Sequence, residues 1–330
     1  MPRHLWLHIG LPKTGTTSIQ RALGGRRAAL LRQGIAYPNS RGGAVQILLH
    51  RAALPRSRAG TGNFLPLLTA EIGALPDTVH SVILSAEQCS LALAGERQIA
   101  QLHDLLAPMF SSMHVIVYLR RQDTHAASLY GQALRRGRIE VPDLDRIATE
   151  FASMYDYNAL LRSWAAVFGS ASIKPRIFEP ASLQGADAVV DFFAACGAQE
   201  ALDGTNPARD DNPSMNVQGQ ALLFALGRHL QRENGKPNVN SAVWRRLNAI
   251  VTELCPGRGW QPDRRTGAAF MARYTVSNEA TRAAWFPERT QLFRSDFDAL
   301  PENQVDVAAG PAAETIYNVL LAAVAGAVRD

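Results

Sequence analysis

The chain has 330 residues, 47% of them hydrophobic and 19% charged, the balance of a globular protein with enough residues for a sizeable buried core. Its formal charge of +5 and pI near 9.4 come with arginine as the main basic residue, and guanidinium groups bind phosphate and sulfate through a forked set of donors. Three cysteines, Cys89, Cys196 and Cys255, form no CxxC pair, which argues against a thiolate zinc site or a disulfide framework and suits a reducing, cytoplasmic setting.

Taken in chain order, residues 4–9 alternate as a strand, and His8 interrupts their short apolar stretch, so they do not read as a signal peptide. From Ser18 a helical period places Ile19, Ala22, Leu23, Leu30 and Leu31 near one face. Residues 39–62, rich in Gly, Ser and Arg, read as loop with a short helix. Residues 79–84 and 114–119 are short strands rich in β-branched residues. Tyr157, Leu160, Leu161, Trp164 and Phe168 mark an amphipathic helix, and Val189, Phe192, Phe193 and Cys196 another. Between these helices, residues 172–178 form a weaker strand whose Pro175 predicts an edge position. Residues 203–216 collect Gly, Pro, Asp and Asn as a connector. Beyond them the chain reads helical to its end, with breaks near Pro256 and Pro287. Residues 319–328 are too few to cross a bilayer and read as a buried terminal helix.

Strands separated by helices predict an α/β fold: three layers, a central, mostly parallel sheet flanked by helices, and a helical C-terminal extension. The expectation is one domain over 1–330, with an α/β core over 1–202 and a mainly helical part over 203–330. The pattern does not order the strands.

The most informative segment is Gly10-Leu11-Pro12-Lys13-Thr14-Gly15-Thr16-Thr17-Ser18, with a strand leading in and a helix leading out. Glycine lets the backbone turn its N–H groups inward, the new helix adds its own N–H groups and positive dipole end, Thr16, Thr17 and Ser18 offer hydroxyls, and Lys13 offers a mobile charge. This is a cradle for a phosphate. It is not the Walker pattern, which ends in Gly-Lys-Ser/Thr, whereas Lys13 precedes Gly15. No apolar strand ends cleanly in an Asp to hold magnesium, which disfavours a metal-dependent nucleotide hydrolase.

Pro12-Lys13-Thr14-Gly15-Thr16-Thr17 resembles the 5′-phosphosulfate loop of the PAPS-dependent sulfotransferase superfamily, and His8-Ile9-Gly10-Leu11 with Ser18-Ile19-Gln20 resembles its bacterial members. That family places an arginine at the end of a later strand and a serine eight positions on, both holding the donor's 3′-phosphate. Arg120 and Ser128 have this spacing, and an arginine at a strand's carboxyl end stands at the ligand-binding edge of an α/β sheet. The resemblance thus implies a P-loop-type fold, PAPS as donor and PAP as product. It gives Lys13, Thr14, Gly15, Thr16, Thr17, Ser18, Arg120 and Ser128 to the donor. Tyr155-Asp156-Tyr157, Trp164, Asn212-Pro213-Ser214 and residues 277–293 are weaker points of likeness. The late Arg-Lys-Gly segment of the animal cytosolic branch has no counterpart.

Sulfuryl transfer needs in-line geometry, neutralisation of the leaving group and an activated acceptor. Lys13 suits the bridging oxygen on which charge builds. Glu87, just after the strand ending at Leu84, is the first candidate for general base, with His8 its rival. The family requires no metal, and His4 and His8, roughly 13 Å apart along a strand, cannot share an ion. A small-molecule or glycan acceptor is expected, with no membrane span. Nucleic-acid binding would rest on the basic balance alone. An ATP-dependent phosphotransferase or a non-catalytic nucleotide-binding relative are the alternatives; magnesium-dependent ATP turnover would mark the first, and PAP binding without transfer the second.

Overall fold

Apolar strands need cover on both faces, and the sequence between them supplies it as amphipathic helices. The computed structural model describes residues 3–39, 45–54, 64–93, 95–202, 214–234 and 242–312, with 315, 316 and 319. They fall into two compact units, one of Met1–Arg121, Phe151–Arg209 and Tyr274–Arg294, the other of Gln122–Glu150, Asp210–Arg273 and Ser295–Asp330.

The first unit contains a five-stranded, wholly parallel sheet built from β1 (His4–His8), β2 (Ile35–Ala36), β3 (Ser81–Ser85), β4 (Ser112–Leu119) and β5 (Ile173–Ile177), in the order β2-β3-β1-β4-β5. β5 is the edge strand that Pro175 predicts. β2 escapes notice in the sequence because two residues carry no periodicity. Side chains alternate across the sheet. On one face Ile83, Ile116 and Tyr118 meet Ile19, Ala22 and Leu23 of α1 (Thr16–Gly25), together with Phe192 and Phe193 from a later helix, Ala188–Ala195. On the other, Leu5, Leu7, Val82, Leu84, Val115, Val117 and Leu119 are all fully buried.

The helix expected to run on through Leu31 instead breaks at Arg26: a separate helix, Arg27–Arg32, follows, and Leu31 is 43% exposed. Gly24 and Gly25, poor helix formers, end the first segment. A helix at Val45–Ala53 lies within the Gly- and Arg-rich stretch. α2 (Gln88–Ala92) follows β3, and α3 (Tyr157–Phe168) packs on β4 and β5 with its five predicted apolar residues all buried. α4 is the helix Ala188–Ala195 and α5 is Thr275–Trp285.

One charged cluster is built into this sheet. Asp191 of α4, fully buried, accepts from Arg176 of β5 through two guanidinium nitrogens, from the Tyr118 hydroxyl of β4 at 2.8 Å and from the Gln184 N–H at 3.0 Å. Burial alone would raise its carboxyl, but the hydrogen bonds from Arg176, the Gln184 N–H and Tyr118 outweigh it and hold it below the ordinary aspartate range.

The described α-helices of the second unit include Gln122–Arg135, Leu144–Glu150, Val217–Asn234, Ala242–Leu254 and Arg264–Ala272. The Trp244 indole N–H donates to the Arg135 carbonyl at 2.9 Å, and Tyr130 and Trp260 meet edge to face. The expectation of helix to the chain's end fails over 286–312, where the described residues form turns and irregular chain with one short 3-10 helix at Val307–Ala309. Pro287, Pro301 and Pro311 remove backbone donors there and forbid a continuous ladder. Most of the 203–216 connector, including Asn212 and Pro213, and nearly all of 319–328 lie outside the described residues. No described helix is long and apolar enough to cross a membrane.

Candidate anion-binding site

The carboxyl edge of a parallel sheet is where chain leaves the ladder, and here three segments leave it side by side. The ladder runs past β1 into the turn: Ile9 N–H donates to Ile116, and Tyr118 N–H donates to the Gly10 carbonyl at 2.8 Å. Gly10 has φ +108 and Gly15 φ +78, both in the left-handed region that favours glycine. A Cβ on Gly15 would also stand 3.0 Å from the Ala188 Cβ, and one on Gly10 would meet Ser90 Oγ and the Glu87 carbonyl at 3.2 and 3.3 Å. Both glycines are therefore favoured by torsion, and a side chain at either would also be crowded.

Gly15 gives α1 no side-chain cap, and the helix has no acidic residue in its first turn. The first-turn N–H groups lack i−4 partners by geometry, so the positive end of α1 opens onto the turn. The Thr14 hydroxyl, fully buried, donates to the Leu11 carbonyl at 2.6 Å, so its side chain shapes the turn and only its N–H is left to address a ligand. Thr17 is exposed and Ser18 partly buried.

Arg120 follows β4 directly. Its guanidinium donates to the Lys13 carbonyl at 2.7 Å and lies 5.6 Å from the centre of the Phe178 ring. Lys13 and Arg120 thus stand on one rim, in the chain that leaves the adjacent strands β1 and β4. Behind Arg120 the Tyr157 hydroxyl of α3 donates to its carbonyl. Asp156 caps α3 through the Ala159 N–H at 3.0 Å and accepts the Ser277 hydroxyl of α5 at 2.5 Å, while Phe293 packs edge-on against Tyr157. The Tyr155-Asp156-Tyr157 and 277–293 segments are therefore the brace for Arg120. The sequence marks Tyr157 only as an apolar helix position, and no periodicity reveals what its hydroxyl does.

Glu87 leaves β3 on the other side of β1, where the Ala86 N–H donates to the His8 carbonyl at 2.8 Å. Its carboxylate accepts the hydroxyl of Thr16, a contact the sequence does not foretell. His8, the rival base, is fully buried, with Nδ1 2.9 Å from Ser85 Oγ, which in turn receives Gln20 Nε2 at 3.1 Å. Burial lowers its pKa to about 3, so near neutrality it is an uncharged, enclosed imidazole packed on Phe192 and Tyr118. Ser128 lies partly buried on the helix Gln122–Arg135 of the other unit. Among the described residues, no cluster of three or more His, Cys, Asp or Glu side chains could hold a metal.

No protein-family model matches the sequence, and no curated protein does. Solved structures that resemble the chain include the following three. A sulfotransferase from Alicyclobacillus acidocaldarius is 15% identical with a TM-score of 0.39, over 74% of this chain and 100% of that one. The sulfotransferase domain of the Synechococcus PCC 7002 olefin synthase is 15% identical with a TM-score of 0.36, over 76% and 94%. The sulfotransferase domain from the curacin biosynthetic pathway is 9% identical with a TM-score of 0.33, over 64% and 79%.

Proposed function

We propose that this chain is a sulfotransferase that moves a sulfuryl group from PAPS to a hydroxyl or amine of a small-molecule or glycan acceptor. The observation that carries the reading is the Arg120–Lys13 contact. A donor phosphorylated at both ends of one adenosine needs two anion sites on one rim, and the guanidinium beside the Lys13 turn supports that arrangement. The fork of Arg120 suits the terminal 3′-phosphate. Ser128 is assigned to the same phosphate on its sequence spacing from Arg120 alone. The first turn of α1, with the N–H groups of residues 14–18 and the hydroxyls of Thr17 and Ser18, suits the 5′-phosphate.

In the reaction, the acceptor oxygen or nitrogen attacks sulfur in line while the sulfur–oxygen bond to the phosphate breaks. The negative charge that collects on the leaving oxygen is met by Lys13 and by the α1 dipole. Glu87 takes the acceptor's proton; His8 is the poorer base, because protonating it means charging a group with no exposed surface. No step in this scheme uses a metal. The three described cysteines are buried thiols, which agrees with a cytoplasmic setting.

Thermal melting with PAP, without metal, tests the donor. Wild type is stabilised by PAP, and Lys13→Ala and Arg120→Ala both lose most of that shift. Stabilisation by ATP with magnesium in place of PAP would reverse the assignment.

A further inference from the structure

A helix N-terminus favours a carboxylate in its first turn, and α1 has none of its own. Glu87 brings one from another element. The turn that carries it is clamped against the loop: a Cβ on Gly10 would touch the Glu87 carbonyl, Ser90 Oγ donates to that same carbonyl at 2.9 Å, and the Glu87 carboxylate accepts the Thr16 hydroxyl. Thr16 is 3% exposed. A hydroxyl has one proton to give. Given to Glu87, the Thr16 proton is not available to an anion in the loop, and a carboxylate one hydrogen bond from the loop also repels that anion.

We infer that Glu87 and the 5′-phosphate of the donor compete for the Thr16 proton, so that donor binding releases the Glu87 carboxylate from α1. This rests on the donor reading above and deepens it: the base is set loose only when the group to be transferred is in place. Linked equilibria are reciprocal, so removing the Glu87 charge must tighten the hold on the anion. A merely structural Glu87 predicts the opposite, since loosening the turn would weaken binding.

Calorimetric titration of PAP into wild type, Glu87→Gln, Thr16→Val and the double variant decides the matter. Glu87→Gln keeps the size and a carbonyl acceptor but loses the charge, and PAP binds it at least about fivefold tighter. On the Thr16→Val background, where the tether is gone, the same change gains less than about twofold. Thr16→Ser, which keeps the proton, binds PAP as wild type does. If Glu87→Gln does not fold, Glu87→Ala makes the same comparison. PAP binding to the uncharged variant that is no tighter than to wild type, or weaker, overturns the competition; an equal gain on both backgrounds overturns the role of the Thr16 proton. Pyrophosphate is titrated in parallel. A protein that takes pyrophosphate but not PAP overturns the donor reading, while the Glu87→Gln gain read on pyrophosphate still decides the competition.

Discussion

Arg120 and Arg176 come from neighbouring strands of one sheet, yet they live in different electrical surroundings. Arg176 meets Asp191, an anion supplied by the chain itself and fixed by Tyr118 and the Gln184 N–H. Arg120 donates to a neutral carbonyl, that of Lys13, in the turn that leads into α1. A cation answered by a buried carboxylate holds strands and helix together. A cation hydrogen-bonded to the neutral backbone of a turn ties that turn to the end of β4 instead. Position along the strand alone does not separate the two, because Arg176 is near the carboxyl end of β5 and Arg120 just past that of β4.

The largest difference between the two arginines is expected at Asp191. Replacing it with Asn leaves Arg176 charged without its carboxylate, and urea unfolding should show a loss of about 3–5 kcal/mol. PAP affinity, measured where the variant is still folded, should stay within about threefold of wild type; a large loss would mean that the cluster also shapes the anion site.

Acid sharpens it next. His8 stays neutral in the folded chain down to about pH 3, whereas the unfolded chain takes up that proton below its ordinary value of about 6.5. The unfolded state then binds more protons, so stability falls as pH drops from about 6.5 towards 3, at roughly 1.4 kcal/mol per pH unit for this one group. Asp191, whose folded value is depressed, adds to the loss only below the ordinary aspartate range, about 3.9. In His8→Gln the dependence of unfolding free energy on pH between 5 and 6 should flatten by about one proton, and an unchanged slope would show that His8 does not carry it.

The smallest effect is expected at the rim. Arg120→Lys keeps the charge and loses the fork, and PAP affinity should fall about fivefold, near 1 kcal/mol, with little change in melting temperature without ligand. The same substitution at Arg176 should do the reverse, lowering the melting temperature and leaving PAP affinity alone.

How much of this was legible in the sequence depended on whether a feature has a period or a fixed spacing. β1, β3, β4, α3 and α4 announce themselves through apolar periodicity, and Pro175 gives away the edge. The glycines of the turn are legible because few residues tolerate such a backbone, and Lys13 through its place between them. The order of the strands, the two-residue β2 and the break at Arg26 are not, since pairing partners and short segments leave no repeat. Within the site, Lys13 and Arg120 are brought together as their spacing from two strand ends suggests. The Thr16–Glu87 contact and the Tyr157 brace join residues 71 and 37 positions apart, through side-chain atoms that no local pattern records.

The backbone at Lys13 itself carries a further consequence. Its φ of +63 lies where a side chain crowds the following carbonyl, at a cost of roughly 1–2 kcal/mol that glycine would not incur. The sequence nonetheless has an ammonium-bearing residue there. The turn therefore gives up some resilience by carrying a lysine at that position, and a version with glycine there would be the more durable one.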